Sequence, residues 1–306
     1  MALDADYQVD RRRLKRRLAL WRTLAIVAAV ALVGVAVGRF ANVPGIGGKP
    51  YVSRLEVGGL ILDDPRRRAA LREVADDDNA KALIVRIDSP GGTVVGGEAL
   101  YKALREVAEK KPVVAVMGQL GTSAGYMVAL AADRIFAREG TVTGSIGVLY
   151  QSAEITGLLE KLGIGLDAIR SGEMKARPSP FEKMTPEVRE ATRALVDDMY
   201  GMFLDLVIER RGMDAEKARR LSDGRVFTGR MAVANGLVDA IGDEREARRW
   251  LESAKDVPAS LPVRDVKEER EVGDWLEYAG SLAGKTVLPE RLNLDGLVSV
   301  WHPRLR

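Results

Sequence analysis

A single serine, Ser123, interrupts the run GQLGTSAGYMVALAADRI (residues 118–135), between an apolar stretch that reads as a buried strand and an alanine-rich stretch that reads as a helix. A serine so placed does one of two things. It caps the helix N-terminus with its hydroxyl, or it is displayed as a nucleophile where unpaired N–H groups and the positive end of the helix dipole favour a developing negative charge. In the second case the N–H of Ala124 is a candidate oxyanion donor, and Gly121, Ala124 and Gly125 are small enough to leave room for a peptide backbone.

A hydroxyl nucleophile needs a base. The chain has one histidine, His302 in its polar tail, and no cysteine. That composition excludes thiol catalysis and disulfides, and leaves no material for a cysteine- or histidine-rich metal site. Carboxylates are weak bases toward a hydroxyl, so a desolvated lysine remains, as in Ser–Lys hydrolases. A lysine with a pKa of ~10.4 is neutral about once in 2,500 at pH 7, a cost of ~4.6 kcal/mol that burial has to offset. Lys175, in IRSGEMKARPSPFEKMT (residues 169–185), lies between Met174 and Ala176 in a loop punctuated by Gly172, Pro178 and Pro180. It is the best-placed candidate, although its local sequence equally suits a solvated loop lysine, and the neighbouring Glu173 would hold it charged. Lys183 adjoins Glu182, and Arg177 does not deprotonate.

Two further stretches bear on the same chemistry. Ser145, in GTVTGSIGVLY (residues 140–150), is either a turn residue or a hydroxyl that orients the lysine amine. RIDSPGGTVVGGEAL (residues 86–100) reads as strand, tight glycine turn and helix. It admits a purely structural turn, a phosphate cradle, or an oxyanion hole. The phosphate reading lacks the G-x-G-x-x-G spacing, an acidic residue after the next strand, and a Lys-Ser/Thr pair. The oxyanion reading asks only that glycine let a backbone N–H approach a carbonyl oxygen closely.

The elements that must hold these residues alternate. Strands are expected over 51–62, 82–88 and 112–120 and in RIFARE and TVTGSIGVLY; helices over 69–80, 96–111 and 123–133. That alternation predicts an α/β fold with largely parallel pairing. A long helix is expected to start at an N-cap Thr185 with Pro186 in its first turn, to repeat Val188, Leu195, Met199, Phe203 and Leu206 at helical spacing, and to stop at Gly212. The chain of 306 residues is expected to divide into a basic tail (1–17), an anchor (18–40), a linker (41–50), a peptidase domain (51–255) and a proline-punctuated, charged extension (256–306).

The anchor rests on RRRLKRR (residues 11–17), followed by TLAIVAAVALVGVAVG (residues 23–38), which carries no charge. With LALW before it, the segment approaches the ~20 residues that span a bilayer. The basic excess on its N-terminal side predicts a cytoplasmic N-terminus and an exported remainder. An uncleaved signal anchor is preferred to a cleaved signal peptide because no small-x-small site precedes an evident mature start. The net charge of +3 gives no reason to expect a nucleic-acid surface.

Four blocks in order, DDDNAKALIVRIDSPGGTVVGGEALYKAL, KPVVAVMGQLGTSAGYMVALAADRIFAREGTVTGSIGV, SGEMKARPSPFEKMT and GRVFTGRMAVANGLVDAIG, resemble the half-size signal peptide peptidase A family over residues 51–248. The resemblance implies the nucleophile at Ser123, the base at Lys175 after the Ser171-Gly172 pair, and the lysine-orienting serine at Ser145. It implies oxyanion donors at Gly92, the second glycine of Ser-Pro-Gly-Gly, and at Ala124. Thr122 and Ala124 replace the smaller residues common beside the family serine, which bears on the oxyanion assignment at 124.

The resemblance further implies a β-rich α/β superhelix like that of the Clp protease and the crotonases, and no cofactor or metal. It implies a ring, expected to be an octamer, in which the serine of one protomer meets the lysine of its neighbour. The substrates would be cleaved signal peptides and other hydrophobic segments at the bacterial inner membrane, with the catalytic domain on the extracytoplasmic side. Two readings from other classes stand beside it: a non-proteolytic membrane scaffold of the same fold, and a crotonase-like acyl-CoA enzyme.

Overall fold

The computed structural model describes residues 20–33, 48–267 and, as backbone, 297–300. The chain forms two compact units: residues 1–49 with 77–79, and the rest. In the first, α1 (20–33) is a helix exposed along its whole length. Among the described residues no helix is long and apolar enough to cross a membrane. The basic tail and the remainder of the 18–40 segment lie outside the described residues.

The second unit carries the fold. Its centre is three parallel strands, β1 (Tyr51–Ile61), β2 (Ala80–Thr93) and β3 (Val113–Thr122), with α2 (Pro65–Asp76) and α3 (Val94–Ala108) as crossovers. β3 leads into α4 (Ala124–Ala129), β4 (Arg134–Ala137), β5 (Val142–Gly144) and β6 (Leu149–Tyr150). Then follow α5 (Thr156–Lys161), α6 (Pro186–Arg211), α7 (Ala215–Leu221), β7 (Val226–Thr228), α8 (Gly229–Asn235), β8 (Ala240–Ile241), α9 (Glu244–Lys255), β9 (Val263–Asp265) and β10 (Leu297–Val300). The strands join one sheet, with β4 and β8 parallel beyond β3, and with β7 and β10 antiparallel. The observed fold is therefore α/β, as the alternation of elements predicts.

Period-two burial explains why the central strands read as unbroken apolar runs. Leu83, Val85 and Ile87 of β2, with Val113, Ala115 and Met117 of β3, point into the main core. Ala82 and Ile84, with Val114 and Val116, point the other way and are covered by Ala247 and Leu251 of α9. α9 begins in a capping box: Asp243 accepts the Arg245 N–H, and the Glu246 carboxylate accepts the Asp243 N–H at 2.9 Å. The Arg245 N–H, followed by side-chain hydrogen bonds with Glu246 and Arg245, holds the Asp243 carboxyl down at about 2.

Three expectations change. β2 runs through Ser-Pro-Gly-Gly to Thr93 instead of turning there, because β1 stays beside it to the Ile61↔Gly92 pair. The helix after Ser123 ends at Ala129, not at 133. The Asp133 N–H donates to the Val113 carbonyl at 2.8 Å and its carboxylate accepts the Val113 N–H at 3.0 Å, which draws the chain out to start β4. α6 has the expected ends: the Thr185 hydroxyl accepts the Val188 N–H, Pro186 opens the helix, and Gly212 closes it at φ 57°. Its expected stripe is buried at Val188 and Phe203, but Leu195 is 45% exposed, since the middle of α6 borders a cleft rather than the core.

Candidate active site

Ser123 lies at the junction of β3 and α4, and the junction is tightly determined. The pairing of β3 with β5 ends at Thr122↔Gly144, so Ser123 and Ser145 are the next residues along two adjacent strands. The Ser123 N–H donates to the Gly144 carbonyl at 2.8 Å, and the Ser145 N–H donates to the Arg225 carbonyl at 2.8 Å. Both serines have positive φ, 58° and 49°. Ser123, with ψ −121°, matches the first central residue of a type II′ turn, a position that glycine dominates. Although it occupies the N-cap position, its side chain makes no capping bond. A non-glycine residue held in such a region costs of order 1–3 kcal/mol, so the surrounding fold has to impose it.

The imposing contacts can be named. The hydroxyls of Thr141 and Thr143 donate to the Gly118 and Gly121 carbonyls, each at 2.7 Å, and clamp β5 onto β3. Just past the end of α4 three backbone carbonyls are held by arginines from two other helices. Arg105 donates to the Ala131 carbonyl at 2.9 Å, and Arg210 to those of Leu130 and Ala132 at 2.8 and 3.1 Å. Tyr126, fully buried in α4, donates its hydroxyl to the Leu237 carbonyl at 2.8 Å, and burial pushes its phenol pKa up. These arginine contacts give no local signal in the sequence, because Arg105 and Arg210 are distant in the chain and read as ordinary helix-end charges.

Ser123 and Ser145 line one cleft of about 820 Å³. Ile146, Val148 and Leu149 form one side, and the α6 residues Arg189, Arg193, Val196 and Tyr200 form the other. The sequence reading missed this α6 face, whose one signal is polar residues recurring at helical spacing. Ser123 itself is 1% exposed and so sits at the bottom of the cleft.

Gly92 is buried beside β1, and a Cβ there would stand 1.9 Å from the Ile61 carbonyl oxygen. Gly91 before it has φ 119° and donates its N–H to the Ser89 hydroxyl at 3.1 Å. That hydroxyl in turn donates to the Gly59 carbonyl at 2.6 Å. Gly92→Ala is therefore expected to cost at least about 3 kcal/mol, or to prevent folding, because backbone and not a flexible side chain is in the way. Urea unfolding of the variant measures it, and an unchanged midpoint would show that β1 can move aside.

Ala124 is fully buried. Its methyl packs over α3, where a Cβ added to Gly97 would come within 3.0 Å of it. Thr122 is also fully buried, its hydroxyl 3.5 Å from the Ser89 carbonyl oxygen. Neither side chain lines the cleft, so neither of these departures from the family pattern narrows it.

Lys175 is placed differently. It is exposed, in a turn closed by its own N–H donating to the Gly172 carbonyl at 3.0 Å, and it does not line the cleft that holds Ser123. Its neighbours Met174, Ala176 and Arg177 line a second hollow of about 370 Å³, which shares Tyr150 and Thr192 with the first. The nearby carboxylates are engaged elsewhere. Glu173 lies 3.7 Å from Arg177, and Glu182 binds both Arg170 and, at 2.9 Å, Arg177. The Arg170 hydrogen bond, followed by the charges of both guanidiniums, lowers the Glu182 pKa. Among the described residues no ion pair involves Lys175. A single chain thus brings Ser123 and Ser145 together and leaves Lys175 outside.

The chain matches the model of peptidase family S49 over residues 105–258. It is 41% identical over 201 residues to a protein of Synechocystis sp. named as a protease, the alignment covering 65% of this chain and 72% of that one. It is 33% identical over 229 residues to the chloroplastic serine protease SPPA of Arabidopsis thaliana, covering 74% of this chain and 34% of that protein, so it spans about a third of that longer relative. Among solved structures, ClpP1 of Listeria monocytogenes aligns with 63% of this chain and 92% of its own at 18% identity, with a TM-score of 0.43. Half of the chain lies within the family model, and most of one relative is covered at 41% identity: the chain belongs to peptidase family S49, with the signal peptide peptidase A proteins.

Proposed function

We propose that this chain is a membrane-anchored Ser–Lys endopeptidase that cuts hydrophobic peptides, remnant signal peptides among them. Ser123 attacks the scissile carbonyl. The neutral amine of Lys175, steadied by the Ser145 hydroxyl, takes the serine proton and returns it to the leaving amine. The backbone N–H groups of Gly92 and Ala124 hold the oxyanion, a role in which one donor is worth about 3 kcal/mol. Water, activated by the same amine, releases the acyl group. The observation that carries this reading is the strained, non-capping Ser123 beside Ser145 at the bottom of the cleft. A helix cap does not require that conformation, whereas a displayed nucleophile on a strand-to-helix turn does.

The lysine comes from a second copy of the chain. Within one chain Lys175 is exposed, and so are the apolar side chains Leu158, Leu162, Leu166, Ile169 and Phe181 of the stretch of chain that carries it. An exposed apolar strip of this kind marks an interaction surface. A neighbour packed over it would strip water from Lys175 and carry the amine toward a Ser123, as a closed ring of head-to-tail contacts allows. Membrane attachment rests on the basic run 11–17 before the uncharged run 23–38, with the N-terminus cytoplasmic and the peptidase unit exported.

A fluorophosphonate probe tests the nucleophile directly. The assembled protein is expected to label at Ser123 alone, with a yield that climbs as pH rises, and Ser123→Ala is expected to remove the label. Labelling at another serine, or none at any pH, would overturn the reading.

A further inference from the structure

The sheet extends further than the cover α9 gives it. On the face turned away from the main core, Ala82 and Ile84 of β2, Val114 and Val116 of β3 and Phe136 of β4 pack with α9. Two residues further along each strand direction come Arg86, Gly118 and, just past β4, Arg138. The three strands are in register there, Arg86 pairing with Val116 and Val116 with Phe136. The first turns of α9 border this part of the sheet, and between them lies a cavity of about 310 Å³. Four arginines line it, Arg86, Arg138, Arg245 and Arg248, with Asp243 and Glu244.

The charges of this lining do not cancel. Arg245 lies 3.3 Å from Asp243, whose carboxylate also caps α9. Glu244 lies 3.4 Å from Arg54, and Arg86 lies 3.3 Å from Glu56. Asp88, beside Gly118, accepts the Leu120 N–H at 3.0 Å. Among the described residues Arg138 and Arg248 have no carboxylate partner. Arg248 donates its Nη2 to the neutral carbonyls of Ala259 and Leu261, the second at 2.7 Å. Its Nε is buried and has no acceptor. Buried donors are almost always satisfied in native proteins, and an open one on a charged group is costly. A bound anion removes both faults, the unmatched charge and the missing acceptor.

We propose that this cavity binds a phosphate group, carried by a lipid headgroup or by a free phosphorylated solute, with its oxygens between Arg138 and Arg248. The planar guanidinium fork matches phosphate oxygens bidentately, and the volume suits a small ligand rather than a lone ion. The cavity shares no residue with the Ser123 cleft, so the site stands whether or not the chain is a peptidase.

Phosphorus NMR on the detergent-solubilised full chain tests it. The signal of millimolar inorganic phosphate is expected to broaden when the protein is added, in a chloride buffer of fixed ionic strength. Arg138→Glu is expected to weaken binding about tenfold or more, the scale of one lost charge-assisted hydrogen bond. Arg138→Lys is expected to weaken it about threefold, since lysine keeps the charge without the fork. Arg138 is exposed, and its side chain has no hydrogen-bond or ionic partner among the described residues, so the urea midpoints of both variants should match the wild type. No broadening with wild type, or equal broadening with wild type and Arg138→Glu, would overturn the site. Monomeric dihexanoyl phosphatidylglycerol then distinguishes the sources. Its displacement of inorganic phosphate would assign the site to a lipid headgroup; phosphate that stays bound would assign it to a free phosphorylated solute.

Discussion

Ser123→Ala is expected to lower kcat on an apolar fluorogenic peptide by about four to six orders of magnitude, the usual loss when a serine nucleophile is removed from a site whose members act as a unit. Its folding free energy should move little, within about 0.5 kcal/mol, since the backbone contacts that set the turn do not involve the hydroxyl. Those contacts are the Ser123 N–H to Gly144 and the Met127 N–H to the Ser123 carbonyl, at 2.8 and 3.0 Å. Ser123→Gly separates catalysis from strain. It should be equally inactive yet more stable by about 1 kcal/mol, because glycine adopts φ 58°, ψ −121° without the penalty a Cβ incurs there. Urea midpoints of the wild type and both variants, beside their peptide turnover, give the comparison. Turnover surviving in Ser123→Ala would place the nucleophile elsewhere. A glycine variant weaker than wild type would mean that no strain is stored at this turn.

Much of this architecture could be read from local pattern. The apolar runs of β2 and β3 are buried on both faces, and α6 shows its cap, its proline and its left-handed glycine in the sequence itself. What local pattern could not give was pairing at a distance. Ser-Pro-Gly-Gly looks like a turn until β1 is laid beside it; Gly92 is needed because Ile61 backbone occupies the space of a Cβ. Ser145 reads as a turn serine until β5 is placed against β3, when it falls next to Ser123. Spacing along the chain carries no trace of that juxtaposition: the local reading left Ser145 as either a turn residue or an orienting hydroxyl, and the family resemblance favoured the second.

The middle of α6 misled in the other direction. Its helical repeat of apolar residues suggested burial, yet Leu195 of that repeat is exposed and borders the second hollow. A periodic apolar stripe marks a face that needs cover, and that cover does not have to come from the same chain.

The same reasoning bears on Lys175, which one chain leaves outside the Ser123 cleft and which the proposed mechanism brings from a second copy. Lys175→Ala is expected to reduce kcat by about three to five orders of magnitude, comparable with losing the base of a serine hydrolase. Lys175→Arg should be no better, since a guanidinium does not give up its proton to become a base. If the amine reaches a Ser123 on a neighbouring copy, two dead proteins complement each other. Chains carrying Ser123→Ala and chains carrying Lys175→Ala, co-assembled in equal amounts, would form intact Ser–Lys pairs at roughly a quarter of the contacts of a head-to-tail ring. Turnover should recover to about that share of the wild-type value, and the separately assembled variants should show none. The Ser123→Ala chain tagged for purification would confirm that both chains enter one assembly. Mixed assemblies with no turnover would put serine and lysine in the same chain, and would require the 162–185 segment to swing its lysine from the outer surface into the cleft beside Ser145. Full activity of Lys175→Ala alone would instead remove the lysine from the mechanism and leave the hydroxyl of Ser123 in need of another base.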